Sequence, residues 1–393
     1  MFKRNVLAVS LTLAGLCAAQ AAMADVNGGG ATLPQPLYQT AGVLTAGFAP
    51  YLGVGSGNGK LAFLNNDYTK IKPGDTSNPP KNVHWAGSDS KLNATELSGY
   101  VSAHGTAWGP LIQVPSVATS VAIPFNKTGT ANVNLSVNQL CGVFSGRLTD
   151  WSQITGSGRT GAITVVYRGE SSGTTELFTR FLNAKCTETG TFAITTNFAS
   201  SYSGGLPANA LAATGSQAVM TAVNAAQGRI TYMSPDYAAT TLAGLDDATK
   251  VARVAGVSPA PANVSAAIAA VPVPAAANRA NPNAWVPVFA ATTNPNDPSV
   301  VAYPATGYPI LGFTNVIFSQ CYANAAQTTQ VRDFFNRHYN ATAANSNDAA
   351  ITANRFVPLP LTWKNAIRGS FVTATNTLSI GNTNVCNGIG RPL

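Results

Sequence analysis

An α/β fold is predicted by an alternation that recurs along this chain: a β-type run, a short loop rich in Gly, Ser or Thr, then a helix-type run. Two further observations bear on the architecture. The chain has 393 residues, enough for two domains at roughly 100–200 residues each. Its hydrophobic content is 45%, which supplies a full core and excludes a disordered chain. Charged residues make up only 10%, beside 36 Gly and 24 Pro, so a loop-rich compact protein is expected rather than a coiled coil.

The first residues have the pattern of an export signal. Lys3 and Arg4 give a charged start, and Val6 to Cys17 is an apolar run too short to span a bilayer. Ala22-Met23-Ala24 then supplies the small residues a signal peptidase needs. Residues 1–24 are therefore expected to be a signal peptide cleaved after Ala24, with a periplasmic or secreted mature chain starting at Asp25. Lys3 and Arg4 leave with it, so the formal charge falls from +8 to +6. That excess steers small anions toward the protein. Lys and Arg are scattered singly, without a basic cluster, so nucleic acid is not an expected partner.

After the leader, Asn27-Gly28-Gly29-Gly30-Ala31-Thr32 reads as a loop. A helix follows whose first turn holds Pro34 and Pro36, where a missing N–H costs nothing. Tyr51 to Val54 reads as a strand end, Gly55 to Gly59 as a loop, and Lys60 to Asn66 as a second helix. Asn82 to Ala86 is a further strand, ending at Gly87-Ser88-Asp89-Ser90. Strands alternating with helices in this way predict largely parallel pairing. Leu111 to Phe125 is an apolar extended stretch read as a first crossing between domains. Ala162 to Tyr167 is a buried-type strand, and beyond the loop Arg168 to Thr174 a helix presents Leu177, Phe178, Phe181 and Leu182 on one face. Val254 to Val301, rich in Ala, Pro and Asn, is expected to be a surface elaboration with one short helix and no chemistry. Tyr308 to Phe313 is a strand returning the chain to the first domain.

Cys17 leaves with the signal peptide, and four cysteines remain. In an oxidising compartment they form two disulfides, with three connectivities open. Pairing neighbours, Cys141 with Cys186 and Cys321 with Cys386, is favoured, because it staples each domain without opposing a hinge between them.

Three loops share one design: Gly30-Ala31-Thr32-Leu33, Gly55-Ser56-Gly57 and Ser171-Ser172-Gly173-Thr174, each leading into a helix start. A helix N-terminus offers free N–H groups and the positive end of a dipole, which favour an anion. Ser or Thr adds a hydroxyl donor, though a lone serine at such a place is usually only a cap. Arg168, at the end of a buried-type strand, is suited to grip two oxygens of a tetrahedral anion. Glu170 either forms an ordinary surface ion pair with it or holds it in a binding orientation. Asp89 is out of place in an anion site unless the ligand brings a proton. An ionised aspartate only accepts, so it rewards monohydrogen phosphate and penalises sulfate. Taken alone, Gly-Ser-Asp-Ser is also ordinary turn chemistry.

Asp25-Val26-Asn27-Gly28-Gly29-Gly30-Ala31-Thr32-Leu33-Pro34 resembles the start of the DING proteins, with Val26 in place of the usual isoleucine. Tyr38-Gln39-Thr40, Gly53 to Lys60 and Asn66 to Lys70 are also DING-like. That family is grouped with the periplasmic phosphate-binding components of ABC importers. The resemblance implies a two-domain periplasmic-binding-protein fold of type II, with central mixed sheets flanked by helices and the ligand in the cleft. It implies domain I from residues 25–115 with 312–393, and domain II from residues 116–311. Carried over by motif, Thr32, the N–H of Leu33, Ser56 and Asp89 would hold phosphate from one side. Arg168, Ser172, Gly173 and Thr174 would hold it from the other. Many importer relatives have Asp where this chain has Glu170, one methylene longer.

The function expected is high-affinity binding of inorganic phosphate, selective over sulfate, with arsenate as competitor. No cofactor, metal or catalytic residue is implied, and the chain is expected to be a monomer, peripheral to the membrane at most. A phosphate ABC permease is the further partner the family implies. The alternative is a secreted DING-type phosphomonoesterase. His84, His104 and His338 lie in no metal-ligand spacing, and Asp89 is the one candidate base beside a loop serine.

Overall fold

The computed structural model describes residues 26–392; the expected signal peptide, its cleavage site and Asp25 lie outside them. The chain lays down β1 (Gly28–Gly30), β2 (Leu52–Gly53), β3 (Trp85–Ser88) and β4 (Leu111–Ser120). It then crosses to β5 (Ile123–Asn126), β6 (Asn134–Leu135), β7 (Thr164–Arg168), β8 (Leu211–Ala213), β9 (Arg229–Ile230) and β10 (Val251–Val254). A small pair, β11 (Val288–Ala290) and β12 (Val300–Ala302), precedes β13 (Leu311–Ser319), which returns to the first sheet. The first sheet has the order β2-β1-β3-β13-β4 and the second β6-β10-β5-β9-β7-β8. Each is flanked by helices, and the two sheets form two lobes.

Pairing is less parallel than the simple alternation predicts. β1 pairs β2 and β3 in parallel, but β13 runs antiparallel to both β3 and β4. The reason is the double crossing. The chain leaves the first lobe along β4 and comes back along β13, so the two lie side by side in opposite directions.

The Gly28-Gly29-Gly30 run, read above as a loop, is a buried central strand. Glycine is needed there because the space for side chains is taken. A Cβ on Gly28 would meet the Trp85 ring, and one on Gly30 would meet the carbonyl of Gly87. Trp85 stacks on Phe318 across the same sheet, with ring centroids 5.5 Å apart. The second helix also begins earlier than expected: it spans Ser56–Asn65 and takes in most of the glycine loop. The first helix, Gln35–Gln39, has Pro36 in its opening turn. In the helix Gly173–Lys185, Leu177, Phe178, Phe181 and Leu182 are all buried, so its apolar stripe faces the core of the second lobe.

Disulfides join Cys141 to Cys186 and Cys321 to Cys386. The first ties the helix Val137–Ser145 to the end of Gly173–Lys185, inside the second lobe. The second ties the end of β13 to the C-terminal segment, inside the first. Neither crosses the cleft.

The Ala- and Pro-rich segment 254–301 is more than a surface elaboration. Besides the helix Pro261–Ala269 it carries β11, β12 and a buried Trp285 packed on Trp363 and Phe371 of the first lobe. Tyr303, just beyond it, meets Phe181 of the second lobe edge to face. Lys91, two residues past Asp89, reaches Ser299 Oγ at 2.7 Å and Asp297 at 3.6 Å. The segment therefore straddles both lobes at one rim of the cleft. Among the described residues, no helix is long and apolar enough to cross a membrane.

Candidate functional site

The candidate residues come from the carboxyl ends of parallel strands, where open α/β sheets place their ligands. Thr32 and Leu33 follow β1, Ser56 follows β2 and Asp89 follows β3. From the facing sheet, Arg168 ends β7 and Ser172, Gly173 and Thr174 begin the next helix. All eight are buried. Leu33 enters by chain adjacency to Thr32, its side chain lying in the core.

The two sets touch each other directly. Thr174 Oγ1 donates to Asp89 Oδ2 at 3.2 Å, and Asp89 N–H donates to Ser56 Oγ at 3.1 Å. Gly173 lies so close that a Cβ there would sit 2.4 Å from Ser56 Oγ and 2.6 Å from Asp89 Cβ. Gly57 is similarly pressed on Ser171. The lobes therefore close on one another through glycine-bearing loops packed directly against each other.

Arg168 is only 2% exposed, so it is no surface ion pair. Its Nε donates to Glu170 Oε1 at 2.7 Å, its Nη2 donates to the same oxygen, and its Nη1 donates to Ser216 Oγ at 3.3 Å. A guanidinium has five N–H bonds. One hydrogen on each terminal nitrogen is thus left for an anion. Glu170 Oε1 also accepts the backbone N–H of Gly215 at 2.9 Å, so its extra methylene still reaches both partners. Tyr232 supports the strand end from behind, its OH accepting the Arg168 backbone N–H at 3.3 Å and meeting Thr175 Oγ1 at 2.7 Å.

Asp89 is 4% exposed. Burial raises its carboxyl to about 6, against the pull of nearby Thr314, Arg168, Thr174 and Ser56. Its Oδ2 is engaged by Thr174, while its Oδ1 is buried with no hydrogen-bond partner. The nearby Thr314 hydroxyl is likewise buried without a partner at hydrogen-bond geometry, so the carboxylate has room for one more proton-bearing group.

The sequence reading missed Ser216. It opens the helix Ser216–Asn224 after Gly215, and its Oγ lies 2.9 Å from Thr32 Oγ1. The missed signal is the Gly-Ser pair itself, which repeats Gly55-Ser56. At both, a glycine in the left-handed region (φ 84° and 90°) turns the chain from strand into helix.

Beside the cluster opens a groove of about 780 Å³, lined in part by Gly57, Lys91, Glu96, Glu170, Arg180 and Asp297. Its cations are paired: Lys60 with Glu96 at 2.9 Å, Arg180 with Glu176 at 2.7 Å, and Lys91 with Asp297. Each cation of this rim already has a carboxylate partner, so its charge is largely compensated before an anion arrives.

The histidines do other work. His84 Nδ1 accepts the Asn27 N–H at 2.9 Å, and burial pushes its imidazole down to about 3. His338 bonds Ser116 and Asn347, and burial pushes it down to about 4. His104 stacks on Trp108 with centroids 3.6 Å apart. Among the described residues, no three His, Cys, Asp or Glu gather as a metal-binding group would.

A family model described as a PBP superfamily domain matches residues 18–336. The chain is 75% identical to "Alkaline phosphatase L" of Pseudomonas aeruginosa strain UCBPP-PA14, over the full length of both. It is 68% identical to a "Phosphate-binding protein" from an unknown prokaryotic organism, covering 94% of this chain and all of that one. Among solved structures it is similar to a high-affinity periplasmic phosphate-binding protein (PfluDING) bound with phosphate, with a TM-score of 0.91 and 73% identity. That match covers 94% of this chain and all of the other.

Proposed function

The chain belongs to the PBP superfamily, among the DING phosphate-binding proteins, and from that premise we propose that it binds inorganic phosphate in the cleft between its lobes. One observation carries the choice of ligand. The buried Asp89 carboxylate leaves Oδ1 unpaired within a ring of donors, so the anion that suits it has tetrahedral oxygens and a proton to give. Arg168 supplies two N–H bonds to two oxygens, and Ser56, Ser172, Thr174, Thr32 and the N–H groups of Leu33 and Gly173 supply the rest. Sulfate, having no proton, meets Asp89 as like charge. Phosphate bridging the lobes shifts an open–closed equilibrium toward closed.

The experiment is calorimetry on phosphate-stripped protein. Phosphate binds at roughly micromolar concentration or below, arsenate competes and sulfate does not. No heat with micromolar phosphate overturns the reading.

Export fits this role: the family includes periplasmic binding proteins, and both disulfides suit an oxidising compartment. Cleavage after Ala24 and delivery of phosphate to an ABC permease belong to the same proposal. For the lobes, the division 25–115 with 312–393 against 116–311 puts the first crossing inside β4. The strand pairing supports a crossing a few residues later, at Val121-Ala122, between β4 and β5.

A second reading, phosphomonoester hydrolysis, is favoured by the name of the 75% identical relative. Its test is turnover of a phosphomonoester by purified protein, with loss of that activity in Ser56→Ala or Asp89→Asn. Equal rates in all three assign the activity to a contaminant.

A further inference from the structure

Ser216 sits at the junction of the lobes, buried to 1% exposure, with two polar neighbours of different kinds. Arg168 Nη1, at 3.3 Å, can only donate, because a guanidinium has no acceptor. Ser216 Oγ therefore accepts from it. The serine hydroxyl has one proton left to place, and the neighbouring oxygen is Thr32 Oγ1 at 2.9 Å. Were Thr32 the donor instead, the buried Ser216 proton would need another acceptor, and in the protein without an anion none is in reach, which carries the cost of an unmade hydrogen bond. Arg168 donates to Ser216, and the arrangement that then places the serine proton is donation from Ser216 to Thr32. The Thr32 hydroxyl, accepting from Ser216, then keeps its own proton to give.

We propose that Ser216 is a positioning residue that sets the Thr32 hydroxyl as a donor to the bound anion and couples that setting to closure of the lobes. The inference rests on the phosphate-binding reading and deepens it. Thr32 belongs to the five-stranded lobe, whereas Ser216 and Arg168 belong to the six-stranded one, so the relay exists only when the cleft is shut. Its far end is anchored too. Glu170 Oε1 takes both Arg168 and the Gly215 N–H, locking the helix start that carries Ser216 to the guanidinium that feeds it. The helix has no use of its own for this hydroxyl, since Gly215 is the N-cap and no side chain caps it. With Thr32 held as a donor, Asp89 is left as the acceptor of the cluster, and selection for a protonated anion is sharpened from the opposite wall.

The test compares wild type, Ser216→Ala, Ser216→Thr, Thr32→Val and the double variant Ser216→Ala/Thr32→Val by phosphate calorimetry and stopped-flow release. Ser216→Ala is expected to weaken phosphate binding about tenfold, almost all of it as faster release. Ser216→Thr, which keeps the hydroxyl, restores affinity to within about threefold of wild type. In the Thr32→Val background, removing the Ser216 hydroxyl costs less than about twofold, because its route to the ligand is already gone. A loss of the same size in both backgrounds assigns Ser216 a merely structural role and overturns the inference. So does wild-type affinity and release in Ser216→Ala. If wild type itself fails to bind phosphate, the functional reading falls first and takes this one with it.

Discussion

Two helices, Ser56–Asn65 in one lobe and Ser216–Asn224 in the other, start with the same device and put it to different use. Each follows a strand end through a glycine of positive φ, each opens on a serine exposed by 1%, and neither serine caps its own helix. Ser56 accepts the backbone N–H of Asp89 within its own lobe. Ser216 instead links Arg168 to Thr32 across the cleft. Ser172 is the contrasting case, an ordinary N-cap whose Oγ accepts the Thr175 N–H at 3.2 Å. A serine just inside a helix start is freed from capping when a glycine occupies the cap position. Its hydroxyl is then available to a neighbour or a ligand. Gly-Ser at a strand-to-helix turn is in that sense a stronger sign of a site than Ser-Gly.

The comparison can be broken most severely through the residue both lobes depend on. Arg168→Ala removes the two-oxygen grip and leaves the largely buried Glu170 carboxylate without its cation. A loss of phosphate affinity of 100-fold or more, roughly 3 kcal/mol, is expected by calorimetry. Affinity within about threefold of wild type would contradict the assignment.

Asp89→Asn comes next and works in two directions. Burial raises the folded-state pKa from 3.8 to about 6, so folding favours the protonated form. The stabilising contribution of that form is complete below 3.8 and is lost as pH rises through about 6. At pH 8 the ionised carboxylate therefore destabilises the ligand-free protein, by on the order of 3 kcal/mol. Asparagine has no such penalty. Thermal unfolding should show the ligand-free variant gaining stability over wild type above pH 6 and matching it near pH 4, while its phosphate affinity falls. A stability gain at all pH values would point to packing instead. Loss of function with gain of stability is the usual mark of a site held in a costly state.

The smallest effect separates the two kinds of serine. Ser172→Ala should cost about 1 kcal/mol of ligand-free stability, as a lost N-cap does. Ser216→Ala, whose bond to Thr32 forms only with the cleft shut, should leave ligand-free stability almost unchanged, whereas Ser56→Ala strips the buried Asp89 N–H of its acceptor and should cost about as much as the lost cap. Urea unfolding of the three variants without phosphate decides it; equal losses would remove the distinction.

Much of this architecture was legible from residue order. The four-residue apolar stripe Leu177, Phe178, Phe181 and Leu182 identified its helix because period and burial agree. The apolar stretch Leu111 to Phe125 marked the crossing, which is β4 and β5, while the return strand read at Tyr308 to Phe313 starts three residues later and runs on to Ser319. Where side chains are absent, the reading failed: Gly28-Gly29-Gly30 has no pattern to read, and only the Trp85 ring and the Gly87 carbonyl, far away in sequence, explain why it is a strand. The segment 254–301 failed for a related reason. Its composition is loop-like, while its role comes from tertiary partners, Trp363 and Phe371 behind Trp285, and Lys91 opposite Asp297. At the site, Arg168, Glu170 and Asp89 stood out as charges beside small-residue loops. Ser216 did not, because Gly215-Ser216 lies in a stretch with no charge near it in sequence, and its two partners come from residues 168 and 32.

The central claim is that Asp89 reads a proton on the anion. Its most direct test is the ratio of phosphate to sulfate affinity in the wild-type protein, followed by competition calorimetry between pH 4 and pH 8. With the Asp89 carboxyl at about 6, the ratio should be high and flat well above that pH, then fall as pH drops through it, because a protonated Asp89 no longer repels sulfate. A ratio that does not change across this range, in a protein that stays folded, would contradict the account.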